Sequence, residues 1–556
     1  MTDTAPDHWY SREPDRLRWE LDQFEQHELP AKVLHDDEGH LVVVTEVHFR
    51  GEPLAISASY PHAYPHFAPT IGADRYLLDR HQDPIGHNFC LLENPGGDWE
   101  PWFSAAYLIA ELLGPLLRDA EKGPEAVRAG EADMPEPASA LFRYDPATIV
   151  LVPEQFLVQE LPAKSGTMTL LRGTGRICLL VDATGIGEIE PALSQRFTEP
   201  GAIRWQGRWV AVDAPPRPEA GSEGILAALE VAEGQLLERR LRKKFPQGKR
   251  RHEAMIRFGI TFLEEGPSRN EQRRTWLFAE IKQMRGEKPR VARLLRAHAL
   301  GRAERARRLP ELPALTSAHV VLIGVGSLGG SVALELAKAG VAKLDLFDDD
   351  LYDVNNSVRH VLPATLAGTP KALAVAETCR ALNPFIEVCG HDLAIGDSLP
   401  AAERLDRALE TATVVIDTTG ALAVARHLAT KARGSAATLI VAGLTAGSFG
   451  GDVFVVAPGA ACLQCFLRAQ QRQTIPKPPE GERSAVTPIG CRHPAFAGAG
   501  FEATELAAIV SRRTIQALET TSYPAAQNNW IVLDFRAAPH FREGQLAPDP
   551  DCELHP

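Results

Sequence analysis

The sequence predicts a multidomain α/β protein, and three observations carry that prediction. The chain has 556 residues, and at ~150 residues per domain this length suggests about three to four domains. A stretch rich in Gly, Pro, Glu and Ala between Glu121 and Pro137 is typical of a linker. From Arg290 onward, apolar strand-like runs alternate with glycine loops and helical patterns, which is the order of a parallel sheet with crossover helices.

Composition narrows the class of protein. Hydrophobic residues make up 44% of the chain and charged residues 24%, which excludes a wholly disordered chain. No run approaches the ~18 consecutive apolar residues of a membrane helix, and the N-terminal residues are polar and acidic, unlike a signal peptide. We therefore expect a cytoplasmic protein without membrane contact. The net charge of −13 disfavours nucleic acid as a direct partner.

The predicted domains are 1–122, a linker at 123–139, a middle α/β domain at 140–288, and a C-terminal Rossmann-like domain at 289–556. In the first domain we expect a helix over 13–27, strands over 41–49 and 54–58, and a helix over 105–117. The middle domain shows strand-like runs at 148–152, 177–181 and 209–212, then a charged helical pattern over 224–244. A basic, helix-rich connector is expected to start at Arg290.

A glycine loop marks a candidate nucleotide site. Residues 319–332 are an apolar strand, a loop containing Gly324, Gly326 and Gly329, and the start of a helix. Such a loop lets backbone amides approach a phosphate at a helix N-terminus. The next strand, 343–347, ends in Asp348, where an acid can bind a ribose hydroxyl. On this motif alone an NAD-linked oxidoreductase fits equally well.

The residues after Asp348 favour chemistry at the phosphates. Asp350, Asn356, Arg359 and Lys371 follow within one short region. An enzyme in which a carboxylate attacks the α-phosphate of ATP needs cations on the phosphate chain and a carboxylate for Mg²⁺. Arg359 and Lys371 would supply the cations and Asp350 the carboxylate, whereas hydride transfer has no use for this cluster.

This order of motifs resembles the ThiF/MoeB/ubiquitin-activating superfamily, whose members show D-x-D, S-N-x-x-R and G-x-P-K. The resemblance implies that Asp348 holds the ribose, that Asn356, Arg359 and Lys371 contact the ATP phosphates, and that the protein is a homodimer. The family's later C-T-D reads Asp417-Thr-Thr-Gly420 here. Glycine therefore stands where a metal-binding aspartate is usual, so either Asp350 carries Mg²⁺ alone or activity is reduced, although Asp417 could still face the nucleotide.

Four late residues predict a zinc knuckle. Cys462 and Cys465 form one C-x-x-C pair, and Cys552 with His555 forms a matching pair at the end of the chain. Four such ligands suit a closed tetrahedral Zn²⁺ site, and ThiF-type proteins end in a similar pair. The alternative is a set of buried or frayed cysteines with a disordered tail.

Cys491 is a candidate acyl acceptor. In the superfamily the segment after the first zinc knuckle can carry the cysteine that takes the activated acyl group. Arg492 and His493 would favour the thiolate, which is the nucleophilic form. A buried structural cysteine is the competing interpretation, and we assign that structural role to Cys178, Cys379 and Cys389.

The N-terminal region holds another candidate thiol, Cys90. Residues 10–118 resemble the ubiquitin-conjugating fold in the order of four short motifs: Tyr64-Pro-His-Phe-Ala-Pro69, His81-Gln-Asp83, Asn88-Phe-Cys90-Leu-Leu and Asp98-Trp-Glu-Pro101-Trp. The resemblance implies that Cys90 forms a thioester. The family's H-P-N reads His81-Gln-Asp83, so an aspartate replaces the oxyanion asparagine. Asp83 could deprotonate an incoming lysine, with Asn88 or His87 as the oxyanion donor; a packed cysteine is the alternative.

A conjugating-like domain ahead of an activating-like domain resembles the fused ubiquitin-transfer enzymes of bacterial anti-phage operons, including CBASS. That resemblance implies ATP, Mg²⁺ and Zn²⁺ as cofactors and a protein C-terminus as substrate, from a cGAS-like nucleotidyltransferase or a ubiquitin-like protein. A target protein amine would be the acceptor. The middle domain would correspond to a linker or degenerate adenylation-like region. The alternatives are a sulfur-carrier activating adenylyltransferase and a non-enzymatic nucleotide-binding scaffold.

Overall fold

The computed structural model describes most of the chain and divides it into two compact units, Met1–Ala299 and Leu300–Pro556. The described residues are 8–122, 135–173, 175–190, 193–195, 201–233, 253–266, 271–284, 287–309, 313–433, 435–481, 498–518, 523–537 and 540–554. Among the helices in these ranges, none is long and apolar enough to cross a membrane.

The first unit begins with two helices and a four-stranded antiparallel meander. The elements are α1 (Trp9–Arg12), α2 (Pro14–Gln26), β1 (Lys32–His35), β2 (Leu41–Phe49), β3 (Glu52–Ser59) and β4 (Thr70–Ala73), with the strands in sequential order. A short helix α3 (Pro95–Asp98) is followed by α4 (Ala105–Tyr107), a π-helical segment (Leu108–Leu113) and α5 (Gly114–Lys122). The expected helix over 13–27 and strands over 41–49 and 54–58 are confirmed, since apolar residues of β2 alternate inward as the period of a half-buried strand requires.

A buried carboxylate joins these elements. Glu20 of α2 is fully buried and accepts hydrogen bonds from the hydroxyls of Tyr60 and Tyr64. It also accepts from the backbone amide of Ala105 at 3.2 Å, and Arg16 lies 3.2 Å away. A buried carboxylate is tolerated only when it is fully hydrogen-bonded, so this network fixes the start of α4 against α2.

The middle of the first unit is a sheet that closes on itself. Its strands are β5 (Ile149–Pro153), β6 (Ser165–Arg172), β7 (Ile177–Ala183), β8 (Gly187–Glu188), β9 (Ile203–Ala211), β10 (Glu253–Glu265), β11 (Gln272–Met284) and β12 (Arg290–Leu300). The order is β5-β12-β11-β10-β9-β6-β7-β8, and β5 also pairs with β7 to complete the ring. One helix, α6 (Gly221–Glu233), packs Ile225 and Leu229 against Phe258 and Phe262 of the sheet.

The expected middle α/β domain is therefore wrong in character, because the described part is mainly β. The long strands β10 and β11 were missed since both faces are covered: Trp276 and Phe278 stack on one face, while Leu277 and Ala279 pack toward α6. Burial on both faces removes the alternation of apolar and polar residues that identifies a strand.

The boundary between units also differs from the expected one. Residues 290–300 form strand β12, which pairs with β11, and not a helix-rich connector. The units consequently divide between Ala299 and Leu300 instead of between 288 and 289.

The second unit is an eight-stranded mixed sheet with helices on both faces. Its strands are β13 (His319–Ile323), β14 (Lys343–Phe347), β15 (Glu387–His391), β16 (Val414–Asp417), β17 (Thr438–Leu444), β18 (Gly450–Val456), β19 (Trp530–Asp534) and β20 (Phe541–Gly544). Its helices are α7 (Arg302–Ala306), α8 (Ser327–Ala339), α9 (Lys371–Leu382), α10 (Leu399–Leu409), α11 (Leu422–Ala432), α12 (Leu463–Gln471) and α13 (Gly500–Leu518).

The strand order of this sheet confirms the expected Rossmann-like architecture and places its site. The order is β15-β14-β13-β16-β17-β18-β19-β20, with the first five strands parallel. The chain runs outward from β13 through β14 to β15 and then crosses to β16 on the other side of β13. This reversal is the switch point at which ligands bind in open α/β sheets, so the loops after β13, β14 and β16 converge there.

A buried charge cluster links three of the parallel strands. Asp345 of β14 lies 2.8 Å from Nε2 of His319 and 2.7 Å from Nε2 of His391. Burial alone would raise the pKa of Asp345, but hydrogen bonds from both histidines and the charge of Lys343 hold it well below its ordinary value. The ionised carboxylate therefore stabilises the fold above its unfolded-state pKa, and this contribution is lost as the pH falls through the folded-state value.

We predict that Asp345→Asn lowers the free energy of unfolding by about 3 kcal/mol near pH 7, because it breaks a buried, charge-assisted network. The difference from the unsubstituted protein should stay constant down to about pH 4 and shrink as the pH falls further, because the unfolded chain then binds a proton that the folded protein does not. Urea unfolding at several pH values measures both effects. Asp406→Asn is the matched control, since Asp406 forms an exposed pair with Lys431; equal effects of the two substitutions would contradict the prediction.

Candidate functional site

Three glycines shape the loop between β13 and α8, and each has a different role. Gly324 has φ +82°, and a side chain there would also come within 2.9 Å of the Thr419 amide. A Cβ at Gly329 would lie 1.9 Å from the carbonyl oxygen of Gly324, so only glycine lets the helix approach the strand this closely. A Cβ at Gly326 would meet nothing within 4 Å. Gly326 caps α8, and the open space lies where helix amides can bind an anion.

Asp348 ties the end of β14 to this loop. Its Oδ2 accepts a hydrogen bond from the Val325 amide at 2.8 Å, and its Oδ1 accepts one from the Asp350 amide at 2.9 Å. Burial raises the pKa of Asp348, while the nearby charge of Lys371 opposes that rise. Asp348 thus lies beside the glycine loop, where the sequence placed a ribose-binding acid.

Lys371 and Asp350 form an ion pair at the same edge. Nζ of Lys371 lies 2.7 Å from Oδ2 of Asp350, and the Lys371 amide donates to the Asp350 carbonyl. Lys371 begins α9 and is only 9% exposed. The structure therefore brings Lys371, at the start of α9, close to Asp348 and Asp350, which follow β14.

Arg359 and Asn356 belong to a 3₁₀ turn over Val354–Val358 and the residue that follows it. The amide of Arg359 donates to the carbonyl of Asn356 at 2.9 Å, and partial burial lowers the pKa of the Arg359 guanidinium. Desolvated guanidinium groups bind phosphate oxygens more strongly than solvated ones do.

The sequence did not identify His360, whose side chain contacts the glycine loop between β13 and α8. Nε2 of His360 lies 2.9 Å from the Val325 carbonyl, and its Nδ1 accepts from the Leu362 amide at 3.2 Å. The proton therefore sits on Nε2, and burial lowers the pKa of His360 to about 4, which keeps it neutral near pH 7. Its place next to Arg359 was the only available sequence signal.

Asp417 lies at the end of β16 but is turned into its own loop. It is 1% exposed, and its Oδ1 accepts from both the amide and the hydroxyl of Thr419. Thr418 in turn donates to the Gly324 carbonyl at 2.5 Å. Gly420 has φ +68°, a conformation that favours glycine. The glycine at 420 is thus explained by the turn, and Asp417 holds that turn against the nucleotide loop.

Three cysteines meet at a separate place in the second unit. Sγ of Cys462 is 3.7 Å from Sγ of Cys465 and 3.7 Å from Sγ of Cys552. Ligands at ~2.3 Å from a tetrahedral Zn²⁺ are ~3.8 Å apart, so this spacing fits a metal site and is far too long for a disulfide. These thiols could hold a metal ion; His555, the fourth expected ligand, lies outside the described residues.

The two candidate acyl-accepting thiols differ in what the structure describes. Cys491 lies outside the described residues. Cys90 is exposed, and its amide donates to the His81 carbonyl at 2.8 Å. Partial burial raises the pKa of the Cys90 thiol, and the negative charges of Glu136 and Asp83 add to the rise. Oδ1 of Asp83 accepts from the amides of Ile85 and Gly86, so this oxygen shapes the loop.

Comparisons with known proteins agree with this geometry and define the class: the second unit is a nucleotide-dependent adenylating domain. A model described as the ThiF family matches residues 302–552. The sulfur carrier protein ThiS adenylyltransferase of Escherichia coli K12 is 30% identical over 228 residues, covering 40% of this chain and 84% of that protein. The chain belongs to the ThiF family, and ATP-dependent adenylation of a substrate is the activity that this membership carries.

Two further relatives extend the comparison. The uncharacterized protein y4oA of Sinorhizobium fredii is 27% identical over 585 residues, covering 98% of this chain and 97% of that one. The ATP-dependent ubiquitin transferase-like protein Cap2 of Enterobacter hormaechei subsp. hoffmannii is 29% identical over 184 residues, or 33% of this chain and 30% of Cap2. Similarity over nearly the whole chain means that both units recur together in y4oA.

We predict that alanine at two of the loop glycines has separable effects. Gly329→Ala should lower the melting temperature of the protein without ligand, because the new Cβ collides with the Gly324 carbonyl. Gly326→Ala should leave that temperature unchanged but remove the rise that ATP produces, because the methyl group enters the space available to phosphate. Thermal unfolding with and without ATP measures both, and a full ATP response in Gly326→Ala would contradict the assignment.

Proposed function

We propose that the protein uses ATP to adenylate the C-terminus of a protein partner, passes the acyl group through Cys491 and then Cys90, and joins it to an amine of a target protein. The observation that carries the first step is the Lys371–Asp350 ion pair beside the glycine loop, with Asp348 bonded across to Val325. These contacts support the first step because they bring together a cation and two carboxylates, which would bind the phosphates, Mg²⁺ and the ribose.

The chemistry of the first step follows from these groups. A carboxylate of the partner attacks the α-phosphorus of ATP, the bond to the β-phosphate oxygen breaks, and pyrophosphate leaves with the electron pair. Negative charge grows on the phosphate oxygens, so Arg359 and Lys371 stabilise the transition state, and Asn356 orients the triphosphate of ATP. Asp350 would hold Mg²⁺, because Asp417 is committed to Thr419 and glycine occupies position 420.

Three observations support a conjugating role. A helix, a four-stranded antiparallel meander, an exposed cysteine in an irregular segment and a closing helix occur in the first unit in the order that the ubiquitin-conjugating resemblance implies. The similarity to y4oA over both units favours a coupled activity, and the similarity to Cap2, an ATP-dependent ubiquitin transferase-like protein, favours transfer of a ubiquitin-like kind. Anti-phage defence, which the resemblance of the sequence motifs implies, is the setting that we propose.

The second candidate function is activation of a sulfur-carrier protein, favoured by the match to most of the ThiS adenylyltransferase. That function leaves Cys90 without a role and predicts that Cys90→Ala has no effect on the product. A nucleotide-binding scaffold would bind ATP without forming AMP.

We also propose that the protein is a homodimer and that Cys462, Cys465, Cys552 and His555 hold a structural Zn²⁺. The proposed substrate is the C-terminal tail of a cGAS-like nucleotidyltransferase or of a ubiquitin-like protein.

We predict that Lys371→Ala lowers partner-dependent ATP–pyrophosphate exchange by on the order of 10²-fold, because a phosphate cation is lost in a desolvated site. Lys338→Ala is the control, since Lys338 lies on α8 but pairs with Glu335 at the exposed face. Exchange should be unchanged in the control. Equal exchange in both variants would remove Lys371 from the site.

The order of the two thiols gives a second prediction. Cys491 lies in the unit that makes the anhydride, so it should be loaded first, and Cys90 should be loaded by thiol exchange, which is near balance. Cys491→Ala should therefore abolish thioesters at both positions. Cys90→Ala should keep a reductant-sensitive adduct on Cys491 without isopeptide product. Both are read on non-reducing gels, and charging of Cys90 in the Cys491→Ala protein would refute the relay.

The zinc proposal predicts about one Zn²⁺ per chain by elemental analysis. Cys552→Ser should lower both the metal content and the melting temperature, since a structural metal contributes to folding directly. Cys379→Ser is the control for metal content, because Cys379 belongs to a different core cluster from Cys465 and Cys552; it should keep the zinc even where its buried hydroxyl lowers the melting temperature. A metal-free protein with an unchanged melting temperature would contradict the site.

A further inference from the structure

Glu136 and His81 contact each other close to Cys90. The sequence analysis assigned no role to Glu136 and included His81 only as the first residue of the His81-Gln-Asp83 motif. Oε1 of Glu136 accepts a hydrogen bond from the backbone amide of His81 at 2.9 Å. Nδ1 of the same His81 lies 3.2 Å from that oxygen, which is ion-pair distance. The carbonyl of His81 accepts from the Cys90 amide. One residue therefore contacts both the carboxylate and the backbone of the candidate thioester cysteine.

Glu136 is held by several hydrogen bonds although it lies within the expected linker, 123–139. Its amide donates to Oε2 of Glu265 at 3.0 Å, and the other oxygen of Glu265 lies 2.7 Å from the guanidinium of Arg80. Gln82 is buried and makes four hydrogen bonds to the backbone of the surrounding loop. His81 thus lies between two anchored residues, Arg80 and Gln82, and faces a fixed carboxylate.

His81 also has an uncommon backbone conformation. Its φ is +60°, in the left-handed region that non-glycine residues rarely adopt. Such strain persists only where surrounding contacts determine it, and it clusters at functional sites. The side chain of His81 keeps 19% of its surface exposed, so the imidazole can reach a molecule arriving from solvent.

We propose that His81 is the proton acceptor for the amine that attacks the Cys90 thioester, with Glu136 as the positioning residue that holds the imidazole. The proposal rests on the proposed function of Cys90. The amine nitrogen bonds to the thioester carbon, and the resulting ammonium gives a proton to Nε2 of His81. The carbon–sulfur bond then breaks with its electron pair on sulfur, and the imidazolium returns the proton to Cys90. The products are an amide and a free thiol.

The electrostatics support these roles. A carboxylate beside Nδ1 favours the proton on that nitrogen and leaves the lone pair on Nε2, and it stabilises the imidazolium that forms. Asp83, the base expected from sequence, uses Oδ1 to bind two backbone amides. Burial and the charges of Glu136 and Asp83 raise the pKa of the Cys90 thiol, so the departing sulfur benefits from a proton donor.

Several other ionisable groups surround this loop and are included in the test. Tyr76 lies in the same field, because burial and the charges of Asp79, Glu219 and Glu136 raise its pKa to about 12. Near neutral pH it stays protonated. The other charged or titratable groups around this loop are Asp79, Asp83, Glu136, Glu219, Glu265, Arg80, His81 and His87. Histidine is the residue type that ordinarily titrates in the neutral range, so His87→Asn is added to the variants, and loss of the pH profile in that variant instead of in His81→Asn would overturn the inference.

The experiment loads Cys90 without the adenylation step. The full-length Cys491→Ser protein is charged by exchange with a synthetic peptide thioester that ends in Gly-Gly, and discharge to free lysine is followed from about pH 5 to about pH 9. The variants are His81→Asn, Glu136→Gln, Asp83→Asn and His87→Asn; asparagine suits position 81 because it tolerates positive φ. Glu46→Gln, at an exposed position of β2, is the control.

We expect the discharge rate to rise with pH and reach a plateau. His81→Asn should slow discharge by about 10²-fold at neutral pH and remove the rise, as loss of a general base does. Glu136→Gln should slow it by about 10-fold at neutral pH, while the control Glu46→Gln should keep the profile. Asp83→Asn tests the rival base, and its discharge rate should still rise with pH. Unchanged melting temperatures separate these effects from misfolding.

The outcomes separate the two ideas. If the unsubstituted chain discharges to lysine but His81→Asn keeps its rate and pH profile, the inference is wrong and the proposed function stands. Loss of the profile in Asp83→Asn instead would assign the base to Asp83 and equally overturn the inference. If the starting protein does not load at Cys90 or does not discharge, the conjugating function itself fails.

Discussion

The nucleotide site depends on the close approach of helix α8 to strand β13. A methyl group at position 329 would overlap the Gly324 carbonyl, so the crossing exists only because residue 329 is glycine. That approach aims the first amides of α8 at the switch point of the sheet, where a phosphate gains from both hydrogen bonds and the helix dipole. Every other contact in the site keeps this loop in the position that the crossing defines.

Two strand ends and one turn hold the loop. From β14, Asp348 takes the amide of Val325; from the turn after Arg359, His360 donates to the carbonyl of the same residue. From β16, Thr418 donates to the Gly324 carbonyl. Buried backbone groups must be paired, and here each pairing also joins a different loop to the phosphate site. This explains why Asp417 and Gly420 depart from the family pattern without disturbing the loop: they form the turn that presents Thr418.

The parts of the fold and of the candidate site that could be predicted are those that depend on short, local sequence motifs. The positions of the glycine loop, Asp348 and Lys371 at strand ends and helix starts could be predicted, because such places leave short sequence motifs. The ring of strands in the first unit was not, since β10 and β11 are buried on both faces and lose their alternation. His360 and Glu136 act through contacts to residues that are distant in sequence, Val325 and His81, and no local sequence pattern predicts such contacts. The parallel sheet was predictable, but the side-chain hydrogen bonds that join its loops were not.

The electrostatic setting of Cys90 bears on how a thioester relay would run. A thiol of high pKa is a poorer leaving group than one of low pKa. Because burial and two carboxylates raise the pKa of Cys90, an acyl group that reaches it is held more tightly and is lost more slowly to water. The same property slows transfer to an amine unless a proton is supplied as the carbon–sulfur bond breaks. A thiol in this setting therefore retains its acyl group until a suitable acid and base are beside it. The backbone carbonyl of His81 accepts a hydrogen bond from the Cys90 amide, and the imidazole of the same residue is paired with a carboxylate.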